Sequence, residues 1–382
     1  MTTFSNEKET LTQPAFTRSE EEINLIIQHW IRILHIRFGW VHDLNKFVFN
    51  YVSLFIYLFF IQMSNIYLIL YNTDDHNLHT VRVWDLDNNE HIQLFTGHLR
   101  TVHCVKFSLY HYYNHHRNVV CSSSNTIRFW DFKNNRQLQI FDKHTGSIRG
   151  IAFSRFNSCR YLCSGSFDNT VRLWDVETSE SLHVFNGHED YVRCIDISPL
   201  QSNNNINMIG GNGYTICSGS DDKTIRIWDI ETFKPLTVFK GHTYWVRSVK
   251  YGSNKLGSIC SANIILSCSE DKFVCLWDIR SGKQIQKFHG HTHGVTCVEY
   301  SPFVIDIKFS GSSSNVICSG SIDNTIRFWD IRSNKGELYV IKGYDSDHGI
   351  SCFKFISLGE NKKTNNIHLC YGSHNGPVHV WG

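Results

Sequence analysis

From residue 80 onward, apolar and polar positions alternate with a period of two, in short runs separated by turn residues. One unit shows the pattern in full: "VRCIDIS" (192–198), "TICSGS" (215–220), "TIRIWD" (224–229) and "PLTVF" (235–239), with Asp221-Asp222-Lys223 between the second and third runs. Alternation at this period puts the apolar residues on one side of an extended chain, so each run predicts a short β-strand. The phrase "SGSDDKTIRIWD" (218–229) returns as "SGSFDNTVRLWD" (164–175) and "SGSIDNTIRFWD" (319–330). A four-stranded unit of this size cannot cover both faces of its sheet alone. Stacked copies closed into a ring give every unit a neighbour on each side.

The period changes ahead of these units. Ile23, Ile26, Ile27, Trp30, Ile31 and Leu34 fall near i, i+3, i+4, i+7 and i+8, which predicts an amphipathic helix. Ser19 and Glu22 form a capping box at its start, and Glu20 and Glu21 suit the positive end of the helix dipole. The chain therefore divides into a tail (1–16), a helical segment (17–46), an apolar stretch (47–79) and the repeated units (80–382). The helix is read as packing on the flank of the repeats, as docking a partner, or as lying on a membrane surface.

Within the apolar stretch, residues 47–73 carry no charge, and no glycine occurs between Gly39 and Gly97. Three readings stay open. Length and lack of charge meet the criterion for a membrane-spanning helix, oriented N-terminus inward by Arg32, Arg37 and Lys46. Phe, Ile, Tyr and Leu equally suit buried strands, and this run is the only material for strands missing before residue 80. The third reading is a translated A/T-rich insert foreign to the fold.

Trp-Asp pairs punctuate the units at 84–85, 130–131, 174–175, 228–229, 277–278 and 329–330, and Trp381 stands alone before Gly382. Gly-His follows at 97–98, 187–188, 241–242 and 290–291; Lys143-His144 keeps only the histidine. Together with Ser-Gly-Ser-x-Asp, these marks resemble those of the WD-repeat (WD40) β-propeller family over roughly residues 80–382, about four fifths of the chain. The resemblance implies an all-β, seven-bladed β-propeller with a degenerate first blade, preceded by the short α-helical extension.

It also implies one buried hydrogen-bonded chain of His, Ser, Asp and Trp per blade. Carried onto this sequence, the sets are His144, Ser164, Asp168, Trp174; His188, Ser218, Asp222, Trp228; His242, Ser267, Asp271, Trp277; and His291, Ser319, Asp323, Trp329. An indole N–H only donates and a carboxylate only accepts, so serine and histidine can link them. The second unit, "CSSSNTIRFWD" (121–131), is two residues short and lacks the aspartate. The seventh has Tyr344 for the histidine and Asn375 at the aspartate position. A His/Ser/Asp set that recurs beside a tryptophan is read as structural rather than hydrolytic, since no copy is marked as a reachable nucleophile. The arginines of "T-[IV]-R-x-W" (Arg82, Arg128, Arg172, Arg226, Arg327) are read as structural too.

In the resembling family, partners meet the rim just after Gly-His and just before the turn aspartate. Those positions hold Ser147, Arg149 and Phe167; Tyr191, Arg193 and Asp221; Trp245, Arg247 and Glu270; and Gly294, Thr296 and Ile322. Guanidinium forks bind carboxylate or phosphate, and Tyr and Trp are frequent interface anchors. The arc is thus expected to hold an acidic or phosphorylated peptide, unless the arginines pair with neighbouring acids instead.

Composition narrows the rest. A formal charge of +2 gives nucleic acid no evident footing. The 13 cysteines contain no CxxC pair, and Cys163, Cys217 and Cys318 recur before "SGS", as small buried residues of a reducing compartment would. His111, His115 and His116 lie in a predicted loop and lack a second ligand pair for zinc. The reading is a non-catalytic, cytoplasmic or nuclear adaptor for other proteins, without metal or cofactor. A membrane anchor follows only if 47–73 spans a bilayer. The rivals are a ubiquitin-ligase substrate receptor and a G-protein β-like subunit. The first wants an F-box that 17–47 does not show; the second wants a longer coiled coil.

Overall fold

The computed structural model describes residues 59–61, 67–71, 79–85, 90–155, 157–199, 214–252, 263–301, 316–333, 336–357, 367–374 and 378–381. They form seven antiparallel meanders. Blade 1 holds β1 (Phe59–Ile61), β2 (Tyr67–Tyr71), β3 (Val81–Asp85) and β4 (Glu90–Phe95). Blade 2 holds β5 (Cys104–Phe107), β6 (Val119–Ser123), β7 (Ile127–Asp131) and β8 (Arg136–Phe141). Blade 3 runs from β9 (Ile148–Phe153) through β10 (Tyr161–Ser166) and β11 (Val171–Asp175) to β12 (Glu180–Phe185). Blade 4 comprises β13 (Val192–Ile197), β14 (Thr215–Ser220), β15 (Thr224–Asp229) and β16 (Pro235–Lys240). In blade 5 these are β17 (Val246–Tyr251), β18 (Ile264–Ser269), β19 (Val274–Asp278) and β20 (Lys283–Phe288). In blade 6 they are β21 (Val295–Tyr300), β22 (Val316–Ser321), β23 (Thr325–Asp330) and β24 (Tyr339–Lys342). The last sheet has only β25 (Ile350–Ser357), β26 (Ile367–Ser373) and β27 (Val378–Trp381).

The expected seven-bladed propeller with a degenerate first blade is therefore corrected: among the described residues there are six four-stranded blades, the first included, and one three-stranded sheet. The first strands touch in sequence: β1 meets β5, β5 meets β9, and so on to β21 and β25, and β25 meets β1. That contact closes the circle. Within the stretch 47–73, residues 59–61 and 67–71 are strands, and β2 pairs with β3 from Tyr67 opposite Asp85 to Tyr71 opposite Val81. The rest of the run, the tail and the amphipathic helix of 17–46 lie outside the described residues. No helix among the described residues is long and apolar enough to cross a membrane.

One prediction fails inside blade 2. Residues 109–115, read as loop, form α1 (Leu109–His115) between β5 and β6. Ser108 caps it through the backbone N–H of His111, and Tyr110 and His111 are buried against the blade. A hydroxyl cap with two buried aromatics outweighs the loop-like run of His and Asn.

Packing between blades follows a repeated contact. A phenylalanine at or next to the end of the outer strand in blades 1 to 5 packs on the next blade's tryptophan ring: Phe95 on Trp130 at 5.3 Å, Phe141 on Trp174 at 5.1 Å, Phe185 on Trp228 at 5.6 Å, Phe239 on Trp277 at 5.4 Å and Phe288 on Trp329 at 5.6 Å. Such ring pairs add about 0.5–1.5 kcal/mol each beyond the area they bury. The glycine of Gly-His exists for this packing. A Cβ on Gly187 would crowd Trp228 and Arg226, and one on Gly290 would crowd Trp329 and Arg327.

Candidate functional site

The four predicted polar sets are each assembled at one edge of a blade. In blade 3, Trp174 Nε1 donates to Ser164 Oγ at 2.8 Å, His144 Nε2 meets the same oxygen at 2.7 Å, and His144 Nδ1 meets Asp168 at 2.6 Å. Blade 4 repeats this with Trp228 to Ser218 (2.8 Å), His188 to Ser218 (2.7 Å) and His188 to Asp222 (2.7 Å). In blade 5, Trp277 to Ser267 is 2.7 Å, and His242 reaches Ser267 and Asp271 at 2.8 Å each. In blade 6, Trp329 to Ser319, His291 to Ser319 and His291 to Asp323 are all 2.8 Å.

Direction follows from chemistry. Indole must donate to serine, the serine hydroxyl then donates to His Nε2, and Nδ1–H donates to the carboxylate. Each aspartate also binds its own turn: Asp168 accepts from Thr170 Oγ1 at 2.6 Å and from the backbone N–H of Thr145 at 3.1 Å. Burial pushes His144 and His188 below the usual imidazole value, outweighing the pull of their carboxylates. Burial raises Asp168, Asp222 and Asp323, but hydrogen bonds from their histidines prevail and hold them well below the usual carboxylate range. The serines are fully buried and their oxygens already engaged, so no substrate carbonyl can reach them.

Two blades depart from this plan. In the three-stranded sheet, Tyr371 replaces the serine and its hydroxyl donates to Asp347 at 3.2 Å. His379 Nε2 lies 2.9 Å from the other oxygen of Asp347. Asp347 comes from the loop before β25 rather than from the turn where sequence placed Asn375, and Asn375 lies outside the described residues. In blade 2, His98 and Trp130 meet Ser122 at 2.7 and 2.8 Å, but nothing among the described residues replaces the aspartate.

The aspartate of Trp-Asp has its own role, which sequence reading missed. Asp175, Asp229, Asp278 and Asp330 each accept the backbone N–H two residues on, at 2.9–3.0 Å. They shape the turn into the outer strand as Asx turns.

The rim residues meet because one backbone bond recurs in blades 3 to 6. Phe167 N donates to Ser147 O, Asp221 N to Tyr191 O, Glu270 N to Trp245 O and Ile322 N to Gly294 O, at 2.8–3.0 Å. The turn residue is thereby tied beside the start of the inner strand. The outcome is a ladder of alternating guanidinium and aromatic planes. Arg149 lies 4.9 Å from the Phe167 ring centre, Arg193 lies 5.3 Å from Phe167 and 4.7 Å from Trp245, and Arg247 lies 5.7 Å from Trp245. Tyr191 stacks on Phe167 at 4.2 Å and is 43 % exposed.

Charge on the arc is largely balanced. Arg193 grips Asp221, with NH2 to Oδ2 at 2.6 Å, and Arg247 grips Glu270, with Nε to Oε1 at 2.7 Å. Arg149 NH1 lies 3.1 Å from His103 Nδ1. Blade 6 contributes little charge here: Thr296 Oγ1 donates to Ile350 O, and Gly294 leaves room for the Glu270 carboxylate that a Cβ would strike. Three residues further along the inner strands, Glu299 joins Lys354 at 2.7 Å and Lys250 at 3.3 Å, linking blades 5 and 6 to the three-stranded sheet. Among the described residues no cluster of His, Cys, Asp or Glu could hold a metal ion.

Comparison with known proteins places the repeat against this geometry. The family model described as "WD domain, G-beta repeat" matches residues 89–131, 135–175, 179–229, 233–278 and 282–330. Each match starts on the outer strand of one blade and ends with the third strand of the next, so every sequence repeat sews two blades together. A Lissencephaly-1 homolog from Dictyostelium discoideum is 44 % identical over 45 residues, 12 % of this chain and 10 % of that protein. The nuclear distribution protein nudF of Aspergillus flavus is 30 % identical over 120 residues, 31 % of this chain and 23 % of that protein. The chain thus spans less than a quarter of the length of these curated relatives.

Proposed function

The chain belongs to the WD-repeat family, and from that premise we propose that it is a non-catalytic adaptor whose rim arc over blades 3–5 holds a peptide segment of another protein. The three-stranded sheet is its seventh blade, and residues 80–382 with the strands of 47–79 form the ring. The observation that carries the binding reading is the ladder Arg149–Phe167–Arg193–Trp245–Arg247. Stacked planes held at both ends by backbone bonds are preorganised, so a partner pays little ordering entropy at this surface. The favoured ligand carries an acidic or phosphorylated residue. Three guanidiniums face two carboxylates, and an incoming anion can share Arg193 and Arg247 with Asp221 and Glu270 through donors that remain on each fork. Cysteines used as buried apolar residues support a reducing compartment, cytoplasmic or nuclear.

The test is Arg149→Ala, Arg193→Ala and Arg247→Ala combined, assayed by fluorescence anisotropy against an acidic and phosphorylated peptide library. The expected result is a loss of affinity of about tenfold or more, the factor that about 1.4 kcal/mol of charge-assisted bonding supplies. Unchanged capture, with a circular dichroism spectrum like that of the parent, would reject the arc as the site.

A further inference from the structure

Blade 2 differs from its neighbours by one missing carboxylate, and the partner of that carboxylate is still in place. His98 is 7 % exposed, and its Nε2 lies 2.7 Å from Ser122 Oγ. Trp130 already donates to that oxygen, so the serine proton goes to Nε2 and the histidine's own proton stays on Nδ1. Nδ1 is buried and has no hydrogen-bond partner among the described residues. In blades 3 to 6 the same nitrogen meets an aspartate oxygen at 2.6–2.8 Å. The backbone N–H after the histidine joins the same carboxylate at 2.9–3.1 Å, from Thr145, Glu189, Thr243 and Thr292. The corresponding residue here is Leu99.

The turn itself explains the gap. Ser124 N donates to Thr126 O at 3.0 Å, as Ser166 N does to Thr170 O at 3.2 Å in blade 3. Strand pairing is kept, and only the two residues equivalent to Phe167 and Asp168 are cut out. The surroundings are cationic. Burial first, then the charges of Arg128 and His79, push His98 down to about 3. His79 Nδ1 is likewise buried without a partner. An unanswered buried N–H beside a guanidinium favours an anion, and a carboxylate answers it with a charge-assisted bond.

We propose that blade 2 is a carboxylate-binding site in which a glutamate or aspartate side chain of a bound acidic peptide takes the position that Asp168, Asp222, Asp271 and Asp323 fill in other blades. It rests on the reading of the rim as a peptide surface, to which His103 and Arg149 connect it. Nδ1 is shut off from water, so the ligand enters by displacing the loop at Leu99, whose side chain is 88 % exposed. That step weakens binding by free carboxylates and favours a carboxylate tethered to a peptide already on the rim.

The experiment follows the His98 ring nitrogens by NMR in the full chain, titrated with acetate and then with an acidic peptide and its Glu→Gln counterpart. His98→Gln assigns the signal. A second variant inserts Phe-Asp between Ser124 and Asn125, supplying the carboxylate internally. The expected result is a downfield shift of the His98 Nδ1 proton with acetate and with the acidic peptide. The shift should be present beforehand in the insertion variant and unresponsive there. His98 signals indifferent to both ligands in the parent protein would overturn the site, whether or not the insertion variant folds. A His98 response that survives in the triple arginine variant would keep the site and remove its link to the rim.

Discussion

Acidification is expected to unfold this protein through its histidines, well before its carboxylates protonate. Burial, then nearby arginine charge, pushes His98 to about 3 and His103 to about 2. Burial and the charge of His115 push His111 to about 4. All three are buried. The unfolded chain takes up protons on these rings below the ordinary value of 6.5, and the folded chain does not. Their contribution is therefore complete above that value and drains away as pH falls toward the folded values. Each ring then costs about 1.4 kcal/mol per pH unit, and the three together about 4 kcal/mol per unit. Against a typical stability of about 5–15 kcal/mol, two pH units suffice. The aspartates Asp168, Asp222, Asp271 and Asp323 are held below their ordinary value of 3.8, so their loss comes as a second, more acidic step. Urea titrations between neutrality and pH of about 4.5 should show the slope, reduced by about 1.4 kcal/mol per unit in His103→Gln. Stability that is flat over this interval would contradict the burial of these rings.

The second large effect is Trp228→Ala. This indole is buried, packs on Phe185 of the preceding blade and donates to Ser218. Removing it opens a cavity between two blades, which costs about 3–5 kcal/mol for a large aromatic. It also leaves the buried Ser218 hydroxyl one donor short, adding to the loss. Trp228→Phe retains much of the volume and should cost about 1–3 kcal/mol, the range for a lost hydrogen bond at a buried group. Equilibrium unfolding in urea separates the two. A Trp228→Phe variant as stable as the parent would mean that volume alone matters and that the polar chain contributes nothing.

Blades 3 to 6 were readable because strand, turn and polar set all leave residues at fixed spacing. Alternation located β13 to β16 nearly to the residue, and Ser-Gly-Ser-x-Asp located the turn whose aspartate meets histidine. Besides the Asx turns of the Trp-Asp aspartates, three features escaped. α1 is held by a serine cap and by tertiary burial of Tyr110 and His111, and neither produces a period. The Asp347–His379–Tyr371 cluster uses residues from three separate segments in place of His, Ser and Asp, so no phrase marks it. The phenylalanine at or next to the end of the outer strand in blades 1 to 5, two residues before Gly-His in blades 1, 4 and 5 for example, had a signal in plain view. Its role as the anchor for the next blade's tryptophan shows only once two sheets are brought together. At the rim, sequence named the arginines and aromatics but left their pairing open. Asp221 and Glu270 sit on turns that strand pairing folds back onto the arginines, so charge balance there depends on tertiary geometry.

The account turns on buried polar chains that join wedge-shaped sheets into a ring and do no chemistry. Hydrogen exchange at the indole N–H groups tests this most directly, because each Trp Nε1–H is either locked onto a serine or open to water. The predicted result is that Trp130, Trp174, Trp228, Trp277 and Trp329 exchange only with global unfolding, while Trp245 at the rim exchanges far sooner. Exchange of the five as fast as Trp245 would place them in contact with solvent and contradict the account.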